Sequence, residues 1–345
     1  MTHVGIVGAG VAGAAAAFTL EGAPDDVAIT VLEESNRVGG RTATRRRNGT
    51  VFDYGANYAK SDDDRVAELL TETLSTDGLV DVSDPIWTFD RDGRISEGRD
   101  ADEHKWTYRN GVSEIATRLL ERADATVRFE TPVETIRRID DAWLLEDADG
   151  IERGPFDAVL LSPPAPETAR LVRSAEWGAD VRGELADALE AVPFRTIFSG
   201  ALHYPFELER PYYALVNADK AHEIGWIARE GCKPGHVPDG ETLLIVQANH
   251  EWSVAHAETD PDESLDELAA LTAGLLGDER LREPDWSAHR LWRHALPEGG
   301  VAKDPIRRAE ADGLYCLGDW VAGEGRIHAA VRTGLEVADR IGLER

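Results

Sequence analysis

Three glycines near the start of the chain, Gly8, Gly10 and Gly13 in the stretch VGIVGAGVAG, have the spacing G-x-G-x-x-G. Glycines at these positions let the backbone turn sharply and approach a pyrophosphate. The N-terminus of a following helix offers N–H groups to the same anion, here those of Val11 and Ala12. The spacing therefore predicts a dinucleotide-binding turn, but it does not distinguish NAD as a co-substrate from FAD as a resident cofactor.

The elements predicted around this turn are the ones that the motif requires. Residues 3–8 form a predicted strand, residues 11–21 an alanine-rich helix and residues 27–33 a second strand, VAITVLE. Together they make a βαβ unit of about 30 residues with the glycines at its first turn. This context strengthens the prediction that the glycine turn binds a nucleotide.

Polar residues follow the second strand at a spacing that suits the rest of a dinucleotide. Glu33 ends that strand, 20 residues after the last glycine of the turn, and Glu34 comes next. A carboxylate at this point accepts hydrogen bonds from the adenosine ribose hydroxyls and disfavours a 2′-phosphate. Further on, Gly39 and Gly40 would let a second loop approach the cofactor, and the adjacent Arg41 can neutralise a phosphate.

Three motifs resemble those of the FAD-dependent amine oxidase and glutathione-reductase-like superfamily. They are the G-G-R-T stretch that begins at Gly39, the stretch FDYGANY (52–58), and GDW (318–320) followed by a helix. In that superfamily the residue that matches Asp319 binds the ribityl–phosphate arm of the flavin, and the backbone at the position of Val133 touches adenine. The resemblance implies FAD, held by Gly8, Gly10, Val11, Ala12, Gly13, Glu33, Glu34, Gly39, Gly40, Arg41, Gly55, Ala56, Asn57, Val133, Gly318, Asp319, Arg326 and Ile327.

A narrower resemblance, to bacterial renalase-like proteins, covers nearly the whole chain. The stretches that carry it are IGWIAREGCKPGH (224–236), VQANHEWSVAHAE (246–258), HRLWRHALP (289–297) and YCLGDWVAGEGRIHAAVRTG (315–334). The chain departs from the pattern at three positions. His236 stands where Arg is usual after Lys-Pro-Gly, Ala329 replaces a Gly of the last helix, and Cys232 replaces a Ser.

This resemblance implies a two-electron oxidase. Renalase-type enzymes oxidise the 2- and 6-dihydro isomers of NAD(P)H to NAD(P)⁺, passing a hydride to flavin N5, and O₂ then takes the electrons to give H₂O₂. The protein supplies orientation, a dry pocket and charge near the flavin. Loss of a hydride from a dihydropyridine yields the aromatic cation directly, so this chemistry needs no acid or base from the protein.

Two other functions stay open. An amine oxidase or desaturase on the same fold would often place a lysine near flavin N5, and Lys233 and Lys303 are the candidates among five lysines. A non-catalytic FAD-binding redox sensor is the third possibility. Reduction of the flavin by a dihydronicotinamide or by an amine would separate the three.

Several polar and aromatic residues are candidates for the substrate pocket. Each has an ordinary alternative, since aromatic residues on strands are more often core, histidines are often packed, and a Lys-Pro-Gly turn is often solvated. The substrate would be a small molecule, either a dihydronicotinamide or an amine. The candidates are Asn57, Tyr58, Trp226, Lys233, His236, Trp252, His294 and His328.

Composition narrows the partners and the location. The net charge is -28, from 65 acidic and 37 basic residues, which excludes nucleic acid and anionic membrane surfaces as expected partners. Salt relieves the self-repulsion of such a surface, because the Debye length is about 3 Å at 1 M. The acidic, lysine-poor composition therefore predicts adaptation to high salt. We also expect a cytoplasmic protein, since no apolar stretch is long enough to cross a membrane. The two cysteines are far apart, and no metal-ligand spacing is present.

The predicted fold is α/β, with a Rossmann-like FAD-binding domain and a discontinuous α+β substrate domain that contains a mixed sheet. The expected FAD-binding domain comprises residues 1–58, 107–165 and 300–345, and the substrate domain residues 59–106 and 166–299. Further helices are predicted at 61–75, 111–123, 167–190, 260–276 and 326–341. Further strands are predicted within 126–161 and 314–320, and at 196–204, 212–217, 224–229 and 242–249 for the second sheet.

Overall fold

In the computed structural model, which describes residues 2–23, 26–98 and 103–343, the N-terminal strand is the middle strand of a five-stranded parallel sheet. The strands of the structure are β1 (Thr2–Val7), β2 (Val27–Leu32), β3 (Thr44–Arg47), β4 (Thr50–Asp53), β5 (Ala59–Lys60), β6 (Leu79–Asp81), β7 (Ile86–Phe89), β8 (Ile95–Ser96), β9 (Lys105–Tyr108), β10 (Ala125–Arg128), β11 (Val133–Ile139), β12 (Ala142–Asp147), β13 (Glu152–Phe156), β14 (Ala158–Leu161), β15 (Phe194–Tyr204), β16 (Ala214–Asn217), β17 (Ile224–Arg229), β18 (Thr242–Ala248), β19 (Trp286–Pro297) and β20 (Leu314–Cys316).

The helices are α1 (Val11–Glu21), α2 (Asp64–Glu68), α3 (Glu114–Arg122), α4 (Ala165–Ser174), α5 (Ala179–Glu190), α6 (His250–Ala255), α7 (Pro261–Leu276), α8 (Lys303–Glu310), α9 (Asp319–Ala322) and α10 (Ile327–Leu343). Single turns of 3₁₀ helix occur at Gly40–Thr42, Glu230–Cys232 and Glu279–Arg282, and a π turn, Leu69–Thr73, follows α2. None of the helices within the described ranges combines the length and apolarity that a membrane span requires.

The parallel sheet has the strand order β10-β2-β1-β14-β20 and is covered on both faces. Its inner strands are nearly continuous apolar runs, which is the pattern of a sheet buried on both sides. One face packs against α1, α3 and α10, where the small side chains of Ala14–Ala17 are fully buried and allow close contact with α10. The other face packs against the sheet β11-β12-β13 and helices α4, α5 and α8.

A seven-stranded mixed sheet forms the second large unit, in the order β19-β15-β18-β17-β16-β7-β8. Side chains of β18 alternate between its two faces, as strand geometry requires. Leu244 and Val246 pack towards α7, whereas Leu243 and Ile245 pack towards the hairpin β3–β4. The predicted Rossmann-like sheet and the predicted mixed sheet are thus both present.

Several elements differ from their predictions. The segment 61–75 forms only the short α2 and a π turn, and 167–190 forms two helices, α4 and α5, separated at residues 175–178. The edge strand β19 was not predicted, because its half-exposed segment mixes charged and apolar residues without a clear alternation.

The packing of helices α4 and α5 suggests a different domain boundary, which we give as a proposal. They share a core with β14 and β20 of the parallel sheet rather than with the mixed sheet. Residues 59–74 likewise pack in the core of α1 and α3. We therefore propose that the crossing into the substrate domain lies near residue 193 rather than at 165.

Candidate active site

A cleft of about 1360 Å³ runs between the carboxyl ends of the parallel strands and the mixed sheet. Of the predicted cofactor-binding residues, all except Gly13 line it. Motifs from both ends of the chain therefore meet in one cavity. We name its two ends for the ligands that we propose for them: the nucleotide end, around the glycine turn and Glu33, and the substrate end, around Asn57 and Trp226.

The glycine turn at the nucleotide end depends on the absence of side chains. Gly8 has φ of +96°, and a Cβ there would lie 2.5 Å from Ser162 Oγ. Gly13 lies behind the turn, where a Cβ would meet the Gly8 carbonyl oxygen at 2.2 Å, so this glycine permits packing and does not line the cleft. Helix α1 begins at Val11, and no side chain caps it at Gly10. Its first N–H groups are therefore oriented to bind an anion.

Glu33 is held at the end of β2 by two backbone groups. Its Oε2 accepts a hydrogen bond from Ala9 N at 2.7 Å and its Oε1 one from Ser35 N at 2.9 Å. The carboxylate is buried but lines the cleft, where its remaining lone pairs can accept from ribose hydroxyls. At the neighbouring Glu34, burial and then the charges of Glu167 and Glu33 raise the pKa of the carboxyl.

The G-G-R-T stretch and the C-terminal GDW motif are joined by a bidentate ion pair. Arg41 Nη2 donates to Asp319 Oδ1 at 2.6 Å, and Arg41 Nη1 donates to Asp319 Oδ2 at 3.0 Å. The second loop is also tied to the glycine turn, since Gly39 N donates to the Ala9 carbonyl at 2.9 Å. This pairing holds a cationic and an anionic group together beside the glycine turn.

The substrate end is walled by an amide and two aromatic rings. Trp226 Nε1 donates to Asn57 Oδ1 at 2.6 Å, and the Trp226 and Tyr58 ring centroids are 6.3 Å apart. Trp226 follows a register shift between β17 and β18, a feature that often re-aims a side chain near an active site. Burial raises the pKa of the Tyr58 hydroxyl to about 12, so it remains neutral.

The start of α10 also contributes to the lining, through Arg326, Ile327 and His328. His328 is 2% exposed, and its Nδ1 has no hydrogen-bond partner among the described residues. Its Nε2 lies 3.4 Å from Glu324 Oε1. His294 lines the cleft as well, with Nδ1 at 3.1 Å from Glu167 Oε1.

The structure places three of the predicted pocket residues, Lys233, His236 and Trp252, outside the cleft lining. Lys233 and His236 are fully buried beneath it, because Asp53 and Glu230 provide charged partners there. Trp252 lies in α6, and its ring packs at 5.6 Å from Phe198.

The cleft is also lined by residues that are not among the predicted ones. Gln247 and Asn249 lie in the stretch VQANHEWSVAHAE, from which only Trp252 was selected. Strand β18 ends at Ala248 and Asn249 caps α6, so Asn249 lies at the cleft, whereas Trp252 within the helix is buried. Lys60 and Lys220 also line the cleft, although the lysines singled out from the sequence were Lys233 and Lys303.

The charge of the cleft is opposite to that of the chain. Among the described residues that line it, ten are Arg or Lys and seven are Asp or Glu, whereas the whole chain carries -28. A locally positive cleft in an acidic protein attracts anionic ligands. The glycine turn, the helix start and this charge all fit the pyrophosphate of FAD.

Comparison with known proteins supports the same cofactor. Residues 6–73 match an NAD(P)-binding Rossmann-like domain, and residues 94–342 match the family described as flavin containing amine oxidoreductase. A stretch of 70 residues is 39% identical to protoporphyrinogen oxidase 2 of Arabidopsis thaliana. That match spans 20% of this chain and 13% of the plant protein.

Solved structures share the fold over the whole chain at low identity. A protein from Exiguobacterium sp. 255-15, described as a candidate protoporphyrinogen oxidase, aligns with TM-score 0.78 and 18% identity, covering 100% of this chain and 99% of that one. Cyclohexylamine oxidase from Brevibacterium oxydans IH-35A aligns with TM-score 0.73 and 15% identity, covering all of both chains. This chain belongs to the flavin-containing amine oxidoreductase family and is an FAD-dependent oxidoreductase.

Proposed function

We propose that the chain is a renalase-like oxidase that oxidises a dihydronicotinamide nucleotide to its aromatic cation, with O₂ as acceptor and H₂O₂ as product. Overall, the donor gives up a hydride, and that hydride with one proton reduces O₂ to H₂O₂. The bound flavin supplies the hydride acceptor. The observation that carries the proposal is the surplus of basic residues in the cleft, which suits an anionic nucleotide better than a cationic amine.

The substrate end supports a flat ring as the reacting group. Tyr58 and Trp226 offer aromatic surface there, and Asn57 fixes the indole through its hydrogen bond. Aromatic surface of this kind stacks well with a planar dihydropyridine. Both rings are neutral, and Tyr58 remains so because burial raises its pKa to about 12.

The positions of the lysines count against an amine oxidase. Lys233 is fully buried between two carboxylates, and Lys303 at the start of α8 is outside the cleft lining. Lys60 lines the cleft, but its ammonium is paired with Glu103 at 2.5 Å. Lys220 lines the cleft on the exposed turn after β16.

The test is anaerobic reduction of the purified, FAD-loaded protein. A chemically isomerised NADH mixture should bleach the visible flavin bands rapidly, and admitting air should restore them with formation of H₂O₂. Pure 4-dihydro NADH is the matched control for the isomers, and cyclohexylamine tests the amine alternative. Bleaching by cyclohexylamine but not by the isomers would overturn the proposal in favour of an amine oxidase. A flavin that neither donor reduces would favour the redox sensor.

We also propose that the protein works at high salt. The chain has 65 acidic and 37 basic residues, and only five of the basic residues are lysines. Screening by salt weakens repulsion between these surface charges. The melting temperature should rise as KCl is raised from about 0.1 M to 2 M, and a fall over this range would contradict the proposal.

A further inference from the structure

Beneath the substrate end lies a cluster of four ionisable side chains with no solvent exposure, which we call the buried ion cluster: Asp53, Glu230, Lys233 and His236. Lys233 Nζ lies 2.9 Å from Asp53 Oδ2 and 2.9 Å from Glu230 Oε1. His236 Nδ1 lies 2.8 Å from Glu230 Oε2. None of these four residues lines the cleft.

The cluster is balanced in charge. The other ring nitrogen of His236, Nε2, lies 3.0 Å from the Tyr108 carbonyl oxygen. Both ring nitrogens thus face oxygen acceptors, which is the pattern of a doubly protonated imidazole. Two cations then face two anions. Asp53, Glu230 and His236 are close enough to ligate a metal, but the Lys233 ammonium already provides the cation between the carboxylates.

Interactions within the cluster keep Lys233 and Glu230 charged despite burial. Burial alone would lower the pKa of the Lys233 ammonium, but Asp53 and Glu230 outweigh it and raise that pKa above its ordinary value. Burial would likewise raise the pKa of Glu230, but Lys233 and His236 hold it below its ordinary value. Buried ion pairs add little net stability compared with apolar packing, so their value lies in fixing one geometry.

Two short paths link the cluster to the cleft. The Asp53 carbonyl accepts a hydrogen bond from Asn57 Nδ2 at 3.0 Å, and Asn57 Oδ1 accepts from Trp226 Nε1 at 2.6 Å. The Tyr213 ring lies 6.0 Å from Lys233 Nζ, and its edge contacts the rings of Tyr58 and Trp226, each with centroids 6.2 Å away. The ammonium therefore lies directly behind the aromatic wall.

We propose that the Lys233–Asp53 pair is a positioning device, which fixes Asn57 and Trp226 so that they orient the reacting ring against the flavin. Glu230 and His236 complete the charge balance of the pair. Lys233 thus acts on the reaction without touching substrate. The inference relies on the proposed function only for the choice of substrate in the kinetic assay.

The test uses the FAD-loaded protein with the double substitution Asp53→Asn and Lys233→Met. This variant removes one anion and one cation and leaves Glu230 paired with His236. Arg138→Met is the control, since it breaks a partly buried ion pair with Asp312 outside the cleft lining. Two readouts are compared: the visible circular dichroism of the bound flavin, and kcat/KM with isomerised NADH.

We expect the double variant to keep FAD, to change the flavin circular dichroism and to lose at least about tenfold in kcat/KM, as expected when reacting groups are misplaced. The control should change neither readout. Equal values for the double variant and the control, with equal loss of melting temperature, would show that the cluster only stabilises the fold. If the wild type does not oxidise isomerised NADH, the proposed function fails, and the circular dichroism alone decides this inference.

Glu230→Gln is a milder variant in case the double variant does not fold. This substitution removes the charge of one of the two carboxylates beside the Lys233 ammonium and leaves Asp53 in place. With one charged partner of Lys233 gone, both readouts should shift in the same direction as in the double variant, with a loss of about threefold in kcat/KM. Wild-type values in both readouts would overturn the proposal.

Discussion

The nucleotide end and the substrate end of the cleft are built from different parts of the protein. At the nucleotide end we expect the backbone to provide most of the recognition, through the glycine turn and the start of α1, with Glu33 added at the end of β2. At the substrate end side chains from separate segments converge, among them Asn57, Trp226 and Gln247. A turn is encoded by consecutive residues, whereas a wall of side chains depends on strand pairing between distant segments. Cofactor chemistry is therefore easier to infer from this sequence than substrate chemistry.

The largest expected effect is loss of the cofactor on Gly13→Val. A Cβ at Gly13 would lie 2.2 Å from the Gly8 carbonyl oxygen and 3.2 Å from the Ile6 side chain. The glycine turn and α1 cannot both keep their positions, and overpacking of this kind costs about 1–3 kcal/mol or more. The protein should purify without flavin absorbance. Gly183→Ala is the control, since a Cβ there meets nothing within 4 Å, and this variant should keep its FAD. A yellow Gly13→Val protein would show that FAD binding does not depend on the close packing of α1 against the turn.

A second substitution tests the link between the two ends of the chain. Asp319→Asn leaves Arg41 without the carboxylate that it contacts at 2.6 and 3.0 Å. Charge-assisted bidentate pairs are among the stronger hydrogen bonds, so we expect FAD to bind about 30-fold more weakly, or about 2 kcal/mol. Titration of apoprotein with FAD measures this. Glu298→Gln, which loosens an exposed pair with Arg195 in the same cleft, should change FAD affinity less than about twofold. Tighter FAD binding in Asp319→Asn would mean that Asp319 mainly repels the cofactor.

The same contrast explains what could be predicted from the sequence. The first strand, α1 and Glu33 follow from a local pattern, and the structure places them where that pattern requires. Lys233 is a natural candidate for a polar pocket, but it is buried against Asp53, which is far away in the sequence, as well as against the nearby Glu230. No local sequence pattern indicates a partner as distant as Asp53.

Some errors had a usable signal and others had none. Asn249 lies in a stretch that resembles renalase-like proteins, and an Asn before a helix is a typical cap, so this position could have been predicted instead of Trp252. The edge strand β19 had no such signal, because an exposed edge is stabilised by pairing with β15 rather than by its own alternation.

The substrate end should respond to substitution without affecting the cofactor. Asn57→Ala removes the acceptor of the Trp226 Nε1 hydrogen bond and the donor to the Asp53 carbonyl. We expect kcat/KM with isomerised NADH to fall about tenfold, because misplacement of the aromatic wall misaligns the reacting ring. FAD affinity should stay within about twofold of the wild type, since the pyrophosphate and ribose contacts remain. If FAD affinity fell as much as kcat/KM, Asn57 would hold the flavin directly, as the resemblance implies, and the two ends would not be separable.

The smallest expected effect concerns the stability of the fold at high pH. Burial raises the pKa of Tyr58 from its ordinary value of 10.0 to about 12 in the folded protein. Because this pKa is raised on folding, its contribution to stability is complete below pH 10 and is lost as the pH rises towards 12. The difference in unfolding free energy between wild type and Tyr58→Phe should therefore shrink by about 1 kcal/mol between pH 9 and pH 11. Denaturant unfolding at the two pH values measures it, and ultraviolet absorbance of the phenolate gives the ionisation directly. An unchanged difference would mean that the Tyr58 hydroxyl is solvated at the substrate end, and the cleft there would not be the dry pocket that hydride transfer requires.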